Sequence, residues 1–279
     1  MLEYLWLCCN VLGIRRRVTQ VYATERHEQI ARLLAADGRV SVVSLAERFD
    51  VTSETIRRDL DHLEGVGALR RVHGGAVPAD RASTREPSVA ERLQHHGAAK
   101  AAIGRRALDA LGDGFRGSVF VDAGTTTGAV AAALTPALSQ SRIEVVTHSL
   151  TLGHVLAGVP GASLTLVGGR VRGVTAAAVG ADTVRTISGL RPDVAFVGTN
   201  GVSATFGLST PDPDEAAVKR AIVQSARRVV VVADAEKLGA ELLVGFATLS
   251  DIDVLVTDAA PPADLAAALD DAGVEVWLA

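Results

Sequence analysis

Hydroxyl and guanidinium side chains are crowded into residues 52–58. If residues 52–65 form a helix, Ile56, Leu60 and Leu63 fall on one apolar stripe at i, i+4 and i+7, and this stripe must be buried. Thr55 and Arg58 project from the opposite face, Arg57 lies on its flank, and Thr52 or Ser53 can cap the helix start. The donors that suit phosphates and base edges of nucleic acid are Thr52, Ser53, Thr55, Arg57 and Arg58.

A basic hairpin is predicted directly after this helix. Residues 68–77 read as two short strands around His73, Gly74 and Gly75, because glycine supplies the backbone freedom of a tight turn. Arg70 and Arg71 lie on the hairpin. A solvated surface helix is the alternative, since four arginines are matched by four acidic residues over 52–77. The order of helix, short helix, polar-faced helix and arginine-bearing hairpin favours DNA binding.

The second half of the chain alternates apolar runs with helical stretches. The runs cover 118–122, 143–148, 163–168, 193–199, 229–234 and 253–258. This alternation predicts a mostly parallel α/β sheet. Ligands of such sheets bind at the carboxyl ends of the strands, so the residues after each run are the candidates for a binding site.

The first run is followed by a loop that can bind an anion. After Asp122 come Gly124, Thr125, Thr126 and Thr127, whose N–H and hydroxyl groups lead into a helix and can cradle a phosphate. A plain tight turn is the alternative. The loop has no Gly-Lys-Ser/Thr element and no Gly-x-Gly-x-x-Gly element, so neither nucleoside triphosphate nor dinucleotide binding is indicated.

The chain has only three lysines but 25 arginines, and two of these lysines are further candidates. Lys219 follows Glu215 by one helical turn, and Lys237 follows the strand run that ends at 234. For Glu215 and Lys219 an ordinary surface ion pair is the alternative. His148 and Arg170 each follow a strand, and each is a candidate either for ligand contact or for a structural role.

Composition limits the class of protein. With 279 residues and 48% hydrophobic residues the chain can form one large and one small domain. A formal charge of −4 restricts any DNA affinity to a local patch. The two cysteines, Cys8 and Cys9, are adjacent, so neither a disulfide framework nor a metal site is expected, and a cytoplasmic location fits.

The first twenty residues form an unusual start. An apolar stretch precedes the arginines at 15–17, which is the reverse of a secretory signal, and it is too short to span a bilayer. Translation from Val21 is a hypothesis, so residues 1–22 are treated as a doubtful extension.

Both halves of the sequence resemble one family. SETIRRDLDHLEGVGALRRVHGGAV resembles the winged helix-turn-helix of the DeoR family of bacterial regulators, and VDAGTTT, VVTHS, VGG, DVAFVGTNGV, GLSTPDPDEAAVKRAIV, VVVVADAEKLG and DVLVTD follow the order of that family's sensor domain. The resemblance covers about residues 23–279. It implies a helix-turn-helix at about 40–60 that presents Ser53, Thr55, Arg57 and Arg58 to an operator, and a wing that contacts phosphates.

The resemblance also implies a ligand. The family's sensor is similar in fold to ribose-5-phosphate isomerase, which implies a phosphorylated sugar bound near Asp122, Thr125 to Thr127, Glu215, Lys219 and Lys237. This sequence departs from the family at His148, where Asn is common. That change could alter the choice of effector or make binding sensitive to pH.

The expected organisation is α/β, with a winged helix-turn-helix domain at 23–78, a linker at 79–87 and a mostly parallel α/β sensor domain at 88–279. The expected function is a repressor of carbohydrate genes, not an enzyme. Its partners would be double-stranded operator DNA, a phosphorylated sugar and further copies of the chain in a homodimer or homotetramer, without cofactor, metal or membrane.

Two alternatives remain at this point. The first is a sugar-phosphate isomerase fused to a DNA-binding domain, in which Glu215 or Asp122 moves a proton and Lys237 steadies an enediolate. The second is a DNA-binding protein whose sensor binds nothing.

Overall fold

The protein is described from a computed structural model. It covers residues 23–37, 40–72, 74–78, 86, 88–139 and 143–279. These residues fall into two compact units, divided between residues 80 and 81. The doubtful extension at 1–22, His73 and most of the expected linker at 79–87 lie outside the described residues.

The first unit contains three helices and a small sheet. The helices are α1 (Ala23–Asp37), α2 (Val42–Phe49) and α3 (Ser53–Gly65). The strands are β1 (Val40–Ser41), β2 (Leu69–Val72) and β3 (Gly75–Pro78), which form an antiparallel sheet in the order β1-β3-β2. Strands β2 and β3 are the wing hairpin.

Two features of the sequence stabilise the helices of this unit: apolar stripes that are buried and hydroxyl side chains that cap the helix starts. Ile56, Leu60 and Leu63 are buried against side chains of the other two helices, including Ile30 and Leu45. The Ser41 hydroxyl caps α2 and the Thr52 hydroxyl caps α3, each by accepting a hydrogen bond from an N–H in the first turn. The predicted helix–helix–helix–hairpin order is therefore confirmed.

The second unit is built on a seven-stranded sheet in which every strand pair is parallel. Its strands are, in sheet order, β15 (Glu275–Leu278), β14 (Val254–Thr257), β12 (Val229–Val232), β9 (Val194–Gly198), β4 (Gly117–Val121), β5 (Ile143–Thr147) and β6 (Ser163–Leu166). Its helices are α4 (Val89–Leu93), α5 (Gly97–Ala107), α6 (Thr125–Leu138), α7 (Leu150–Ala157), α8 (Ala181–Ser188), α9 (Pro213–Ser225) and α10 (Ala263–Asp271).

Alternate residues of the central strands face opposite layers of core. On β9, Ala195 and Val197 belong to one buried cluster, whereas Val194 and Phe196 belong to the other. Because both faces are covered, the strands are continuous apolar runs. The expected fold class, a helix-turn-helix unit followed by a mostly parallel α/β unit, is confirmed.

Two smaller sheets accompany the main one. Strands β10 (Gly201–Ser203), β11 (Gly207–Thr210) and β13 (Val244–Ala247) form one antiparallel sheet. Strands β7 (Arg170–Arg172) and β8 (Ala177–Val179) form an antiparallel hairpin. None of these strands, nor β15, was among the strands predicted from the apolar runs. Among the described helices, none is long and apolar enough to cross a membrane.

Candidate functional site

Helix α3 presents the polar residues that the sequence singled out. The Thr52 hydroxyl accepts from the Thr55 N–H at 3.2 Å and lies 2.9 Å from the Thr55 hydroxyl. Arg57 and Arg58 have side chains that are 54% and 80% exposed, and they approach Glu54 at 3.7 and 3.6 Å. Exposed pairs of this kind contribute less than about 1 kcal/mol, so both guanidinium groups can exchange Glu54 for a phosphate.

The wing is attached to α3 by Arg71. Its backbone N–H donates to Glu64 Oε1 at 2.7 Å, and its guanidinium contacts the Asp61 carboxylate. Arg70 is exposed and makes no ion pair with another residue that the structure describes. The two wing arginines therefore differ: Arg71 fixes the hairpin on the helix, while Arg70 is available to a partner.

A buried ion pair holds α1 against the back of α3. Asp59 is 5% exposed and accepts from Arg26 Nε at 2.6 Å and Nη2 at 2.9 Å, and it lies 2.8 Å from His27 Nε2. Burial alone would raise the pKa of Asp59, but hydrogen bonds to Arg26 and His27 outweigh it and lower that pKa. Asp59 was not predicted as a functional residue, although a carboxylate on the apolar stripe of Ile56 and Leu60 indicates a buried charge.

In the second unit, Asp122 is the centre of a buried polar cluster at the strand ends. It follows β4 and is fully buried. Oδ1 accepts from the Ala123 N–H at 2.8 Å and lies 2.9 Å from His148 Nε2. Oδ2 accepts from the Gly198 N–H at 2.9 Å and from Lys219 Nζ at 2.5 Å. Burial would raise the pKa of Asp122, but the charge of Lys219 and the hydrogen bond to His148 lower it to about 2.

Lys219 and His148 are positioned by further bonds. Lys219 Nζ also donates to the Gly198 carbonyl at 2.9 Å, so it bridges β4 and β9. His148 Nδ1 lies 2.8 Å from the Ala178 carbonyl oxygen, and both of its ring nitrogens therefore face oxygen atoms that accept hydrogen bonds. Three residues from distant parts of the sequence, Asp122, His148 and Lys219, thus form one buried polar cluster.

The start of α6 lies beside this cluster. Gly124 is the N-cap residue, with φ of 155°, and provides no side-chain cap. Thr127 is buried, and its hydroxyl donates to the Gly124 carbonyl at 3.1 Å. Thr125 and Thr126 are half-buried, and their hydroxyls bond to no other described residue. The first N–H groups of α6 are therefore available to an anion.

Other polar groups lie at the neighbouring strand ends. Lys237 is 27% exposed at its side chain, 3.9 Å from Asp234 and 3.8 Å from Glu236. Asp234 Oδ1 and Thr257 Oγ1 are buried, and neither has a hydrogen-bond partner within the described ranges. Asp234 and Thr257 were not predicted as site residues, although Asp234 ends an apolar run and Thr257 is the last residue of β14.

Glu215 and Arg170 have partners of their own. Glu215 accepts from Arg172 Nη1 at 3.1 Å and from the Thr175 hydroxyl. The alternative of a surface pair with Lys219 is wrong, because both residues are buried and have other partners. Arg170 is 63% exposed and pairs with Asp214 on the surface. Within the described residues, no group of three or more His, Cys, Asp or Glu side chains is placed to hold a metal ion.

Comparison with known proteins agrees with this architecture. The family model for the DeoR-like helix-turn-helix domain matches residues 26–82, and that for the DeoR C terminal sensor domain matches residues 95–259. The HTH-type transcriptional regulator GlpR of Haloferax volcanii is 38% identical over 253 residues, covering 90% of this chain and 96% of that protein. The glycerol-3-phosphate regulon repressor of Escherichia coli is 32% identical, covering 91% and 98%.

Solved structures with some similarity include the full-length sorbitol operon regulator SorC from Klebsiella pneumoniae. It is 14% identical, with a TM-score of 0.39, and covers 83% of this chain and 94% of that one. Ribose 5-phosphate isomerase A from Methanocaldococcus jannaschii is 15% identical, with a TM-score of 0.37, and covers 50% and 53%. Similarity at this level carries no argument about this chain.

The helix-turn-helix with its wing and the α/β unit define a DNA-binding transcriptional regulator with a sensor domain. The chain belongs to the DeoR family. The family expected from the sequence motifs is thereby confirmed.

Proposed function

We propose that this regulator is a repressor of carbohydrate genes and that its effector is a small phosphorylated sugar or polyol bound at the strand ends of the second unit. The observation that carries the proposal is the Asp122, His148 and Lys219 cluster beside the uncapped start of α6. The family supports it, since one relative is named a glycerol-3-phosphate regulon repressor.

The phosphate is assigned to the start of α6. Free N–H groups and the hydroxyls of Thr125 and Thr126 provide donors, and the helix dipole favours a negative charge there. Lys219, on α9, reaches the neighbouring end of β9 with its ammonium group and adds positive charge, but it is already paired with Asp122. An arriving dianion therefore competes with Asp122 for Lys219.

The hydroxyl-bearing end of the ligand is assigned to the ends of β12 and β14. Strand β12 lies two positions from β4, which places it about 10 Å away at the usual strand spacing. Asp234 and Thr257 provide buried oxygen atoms that have no hydrogen-bond partner among the described residues and that ligand hydroxyls can satisfy. Lys237 lies beside Asp234. Arg170, exposed and paired with Asp214, is not included in this site.

On the DNA side, we assign base and phosphate contacts to the start of α3 and to the wing. The contacting residues in this proposal are Thr52, Ser53, Thr55, Arg57, Arg58 and Arg70, with Arg71 orienting the wing. His73, outside the described residues, remains an expected contact of the hairpin turn. A single short helix reads few base pairs, so we propose that paired copies of the chain bind repeated half-sites.

Binding without turnover fits the cluster better than catalysis does. Asp122 already accepts hydrogen bonds from protein donors at both oxygens, and its pKa of about 2 makes it a weak base. Glu215 is engaged by Arg172 and Thr175. The proposal is therefore that the unit senses its ligand, and that the ligand binds two conformations of the protein with different affinity.

A two-part experiment tests this function. Thermal unfolding of the full chain is measured with glycerol 3-phosphate, fructose 1-phosphate, fructose 6-phosphate and glucose 6-phosphate, and with the same compounds lacking phosphate. Fluorescence anisotropy then measures binding to the DNA fragment upstream of the gene, with and without each compound. We expect at least one phosphate ester to raise the melting temperature and to change operator affinity. Equal responses to the unphosphorylated compounds, or none to any phosphate, would refute the sensing proposal.

A further inference from the structure

The β7–β8 hairpin is bonded both to the strand-end cluster and to the residues that begin the second unit. On one side, His148 Nδ1 lies 2.8 Å from the Ala178 carbonyl oxygen, and the Ala178 N–H donates to the His148 carbonyl at 2.9 Å. On the other side, the Val89 N–H donates to the Val174 carbonyl at 3.1 Å. A displacement of the hairpin therefore changes bonds at both places.

Arg172, at the end of β7, is shared among three carboxylates. Its Nη1 contacts Glu86 and lies 3.1 Å from Glu215 Oε1, while its Nε lies 3.1 Å from Asp212 Oδ2. The Glu86 and Glu215 side chains are only 4% and 7% exposed. Burial and the charge of Glu215 raise the pKa of Glu86, against the opposing charges of Arg172 and Arg92.

The cluster around Arg172 therefore contains more carboxylates than this one guanidinium can neutralise. Glu86 Oε1 is buried and has no hydrogen-bond partner among the residues described. Two buried carboxylates compete for one guanidinium, and a small displacement of either changes how the charge is shared. A guanidinium that can pair with either of two buried carboxylates is the kind of contact that a coupling element requires.

Helix α9 connects this competition to the strand-end cluster. Glu215 precedes Lys219 by one helical turn, and Asp212 caps the same helix by accepting from the Glu215 N–H at 3.0 Å. Lys219 Nζ is bound to Asp122 at the other end of that turn. An anion that draws Lys219 away from Asp122 therefore acts on α9. The same helix carries Glu215, which binds Arg172.

Glu86 and residues 88–93, named here the anchor segment, lie where the second unit begins. Ser88 and Glu91 form a capping box at the start of α4. Lys100 Nζ holds the other end by donating to the Arg92 carbonyl at 2.6 Å and to the His95 carbonyl at 2.7 Å. Along the sequence, the anchor segment comes a few residues after the division between the two units.

We propose that Arg172 is a positioning residue that couples the strand-end site to the anchor segment, by exchanging its contacts between Glu86 and the carboxylates of α9. The coupling rests on the proposed function, because it requires an anionic effector near Lys219. The holding of the anchor segment by Arg172 does not depend on any effector. These two parts can be tested separately.

The test compares Arg172→Gln with Arg170→Gln in the full chain. Arg170 lies two residues away on the same strand, but its partner Asp214 is exposed, so it is a matched control. Hydrogen–deuterium exchange of residues 88–93 without ligand should be about tenfold faster in R172Q and unchanged in R170Q. Equal exchange in the two variants would overturn the holding role.

The coupling is then measured as the ratio of operator affinity without and with the phosphate ester that acts on the wild type. Couplings of this kind are typically about 5- to 150-fold, and R172Q should bring the ratio close to one while the thermal shift by that ester is kept. A ratio equal to that of the wild type overturns the coupling. If no ester changes the wild type, the sensing proposal fails, and exchange still decides the holding role.

A second variant, Glu86→Gln, tests the same contacts in case R172Q does not fold. Glu86→Gln removes one of the competing carboxylates, so it relieves repulsion and keeps the guanidinium paired with Glu215. It should also speed exchange of the anchor segment and reduce the coupling ratio. A fully folded E86Q with wild-type exchange and a wild-type ratio would overturn the proposal.

Discussion

Removal of Lys219 should destabilise the second unit far more than removal of Lys237. In Lys219→Met, the Asp122 carboxylate loses the only lysine that contacts it in the described residues while it remains fully buried. Loss of one partner of a buried ion pair costs about 3–5 kcal/mol, because the other charge is left uncompensated. Lys237→Met removes a partly exposed ammonium that is 3.8–3.9 Å from its partners, so we expect a loss below about 1 kcal/mol.

The pKa of Asp122 gives an independent magnitude. Its depression from 3.8 to about 2 corresponds to roughly 2 kcal/mol of favourable interaction with the charged form, at about 1.4 kcal/mol per unit. Because the folded-state pKa lies below the unfolded value, this stability is present above about pH 4 and is lost as pH falls towards 2. K219M should show a smaller loss of stability over that interval than the wild type.

The assay is urea denaturation of the full chain at pH 7 and through the acid range, followed by circular dichroism and by tryptophan fluorescence. A double-mutant cycle with Asp122→Asn separates the ion pair from other effects. The loss of unfolding free energy in the double variant should be about 2 kcal/mol smaller than the sum of the losses in the two single variants. A K219M variant no less stable than K237M would contradict the ion-pair assignment. Additive effects of K219M and Asp122→Asn on the free energy of unfolding would contradict it as well.

Three further predictions concern the first unit. Asp59→Asn should lower its stability by about 3 kcal/mol, because the buried ion pair between Arg26 and Asp59 loses its carboxylate; the exposed Asp61→Asn is the control, and equal denaturation midpoints would contradict the ion-pair argument. Arg58→Ala should weaken operator binding and reduce the slope of log affinity against log salt by about 1, without changing the effector-induced thermal shift; an unchanged slope would exclude a phosphate contact. Gly75→Ala would place a Cβ 2.0 Å from the Val40 carbonyl oxygen, so β1 should detach and the unit should lose more than about 2 kcal/mol, whereas Gly74→Ala, with open space but φ of 76°, should lose about 1 kcal/mol in thermal unfolding.

The elements that carry function could be predicted because their signals are local. The stripe of Ile56, Leu60 and Leu63 determined both the helix and its exposed arginines, since helical periodicity repeats within four residues. In the same way, continuous apolar runs determined six strands of the main sheet. The glycines of the wing marked its turn. No distant contact was needed for any of these predictions.

Partners of charged residues were decided only by the tertiary structure. Lys219 was expected near Glu215 because the two share a helix face, yet it binds Asp122, 97 residues away, and Glu215 binds Arg172. Asp59 is paired with Arg26, 33 residues away. Strand order brings the ends of β4 and β9 together and so places Asp122, Gly198 and Lys219 in contact. Periodicity in a sequence determines which side of an element is buried, whereas the neighbour that a buried charge meets depends on the packing of elements that are distant along the chain.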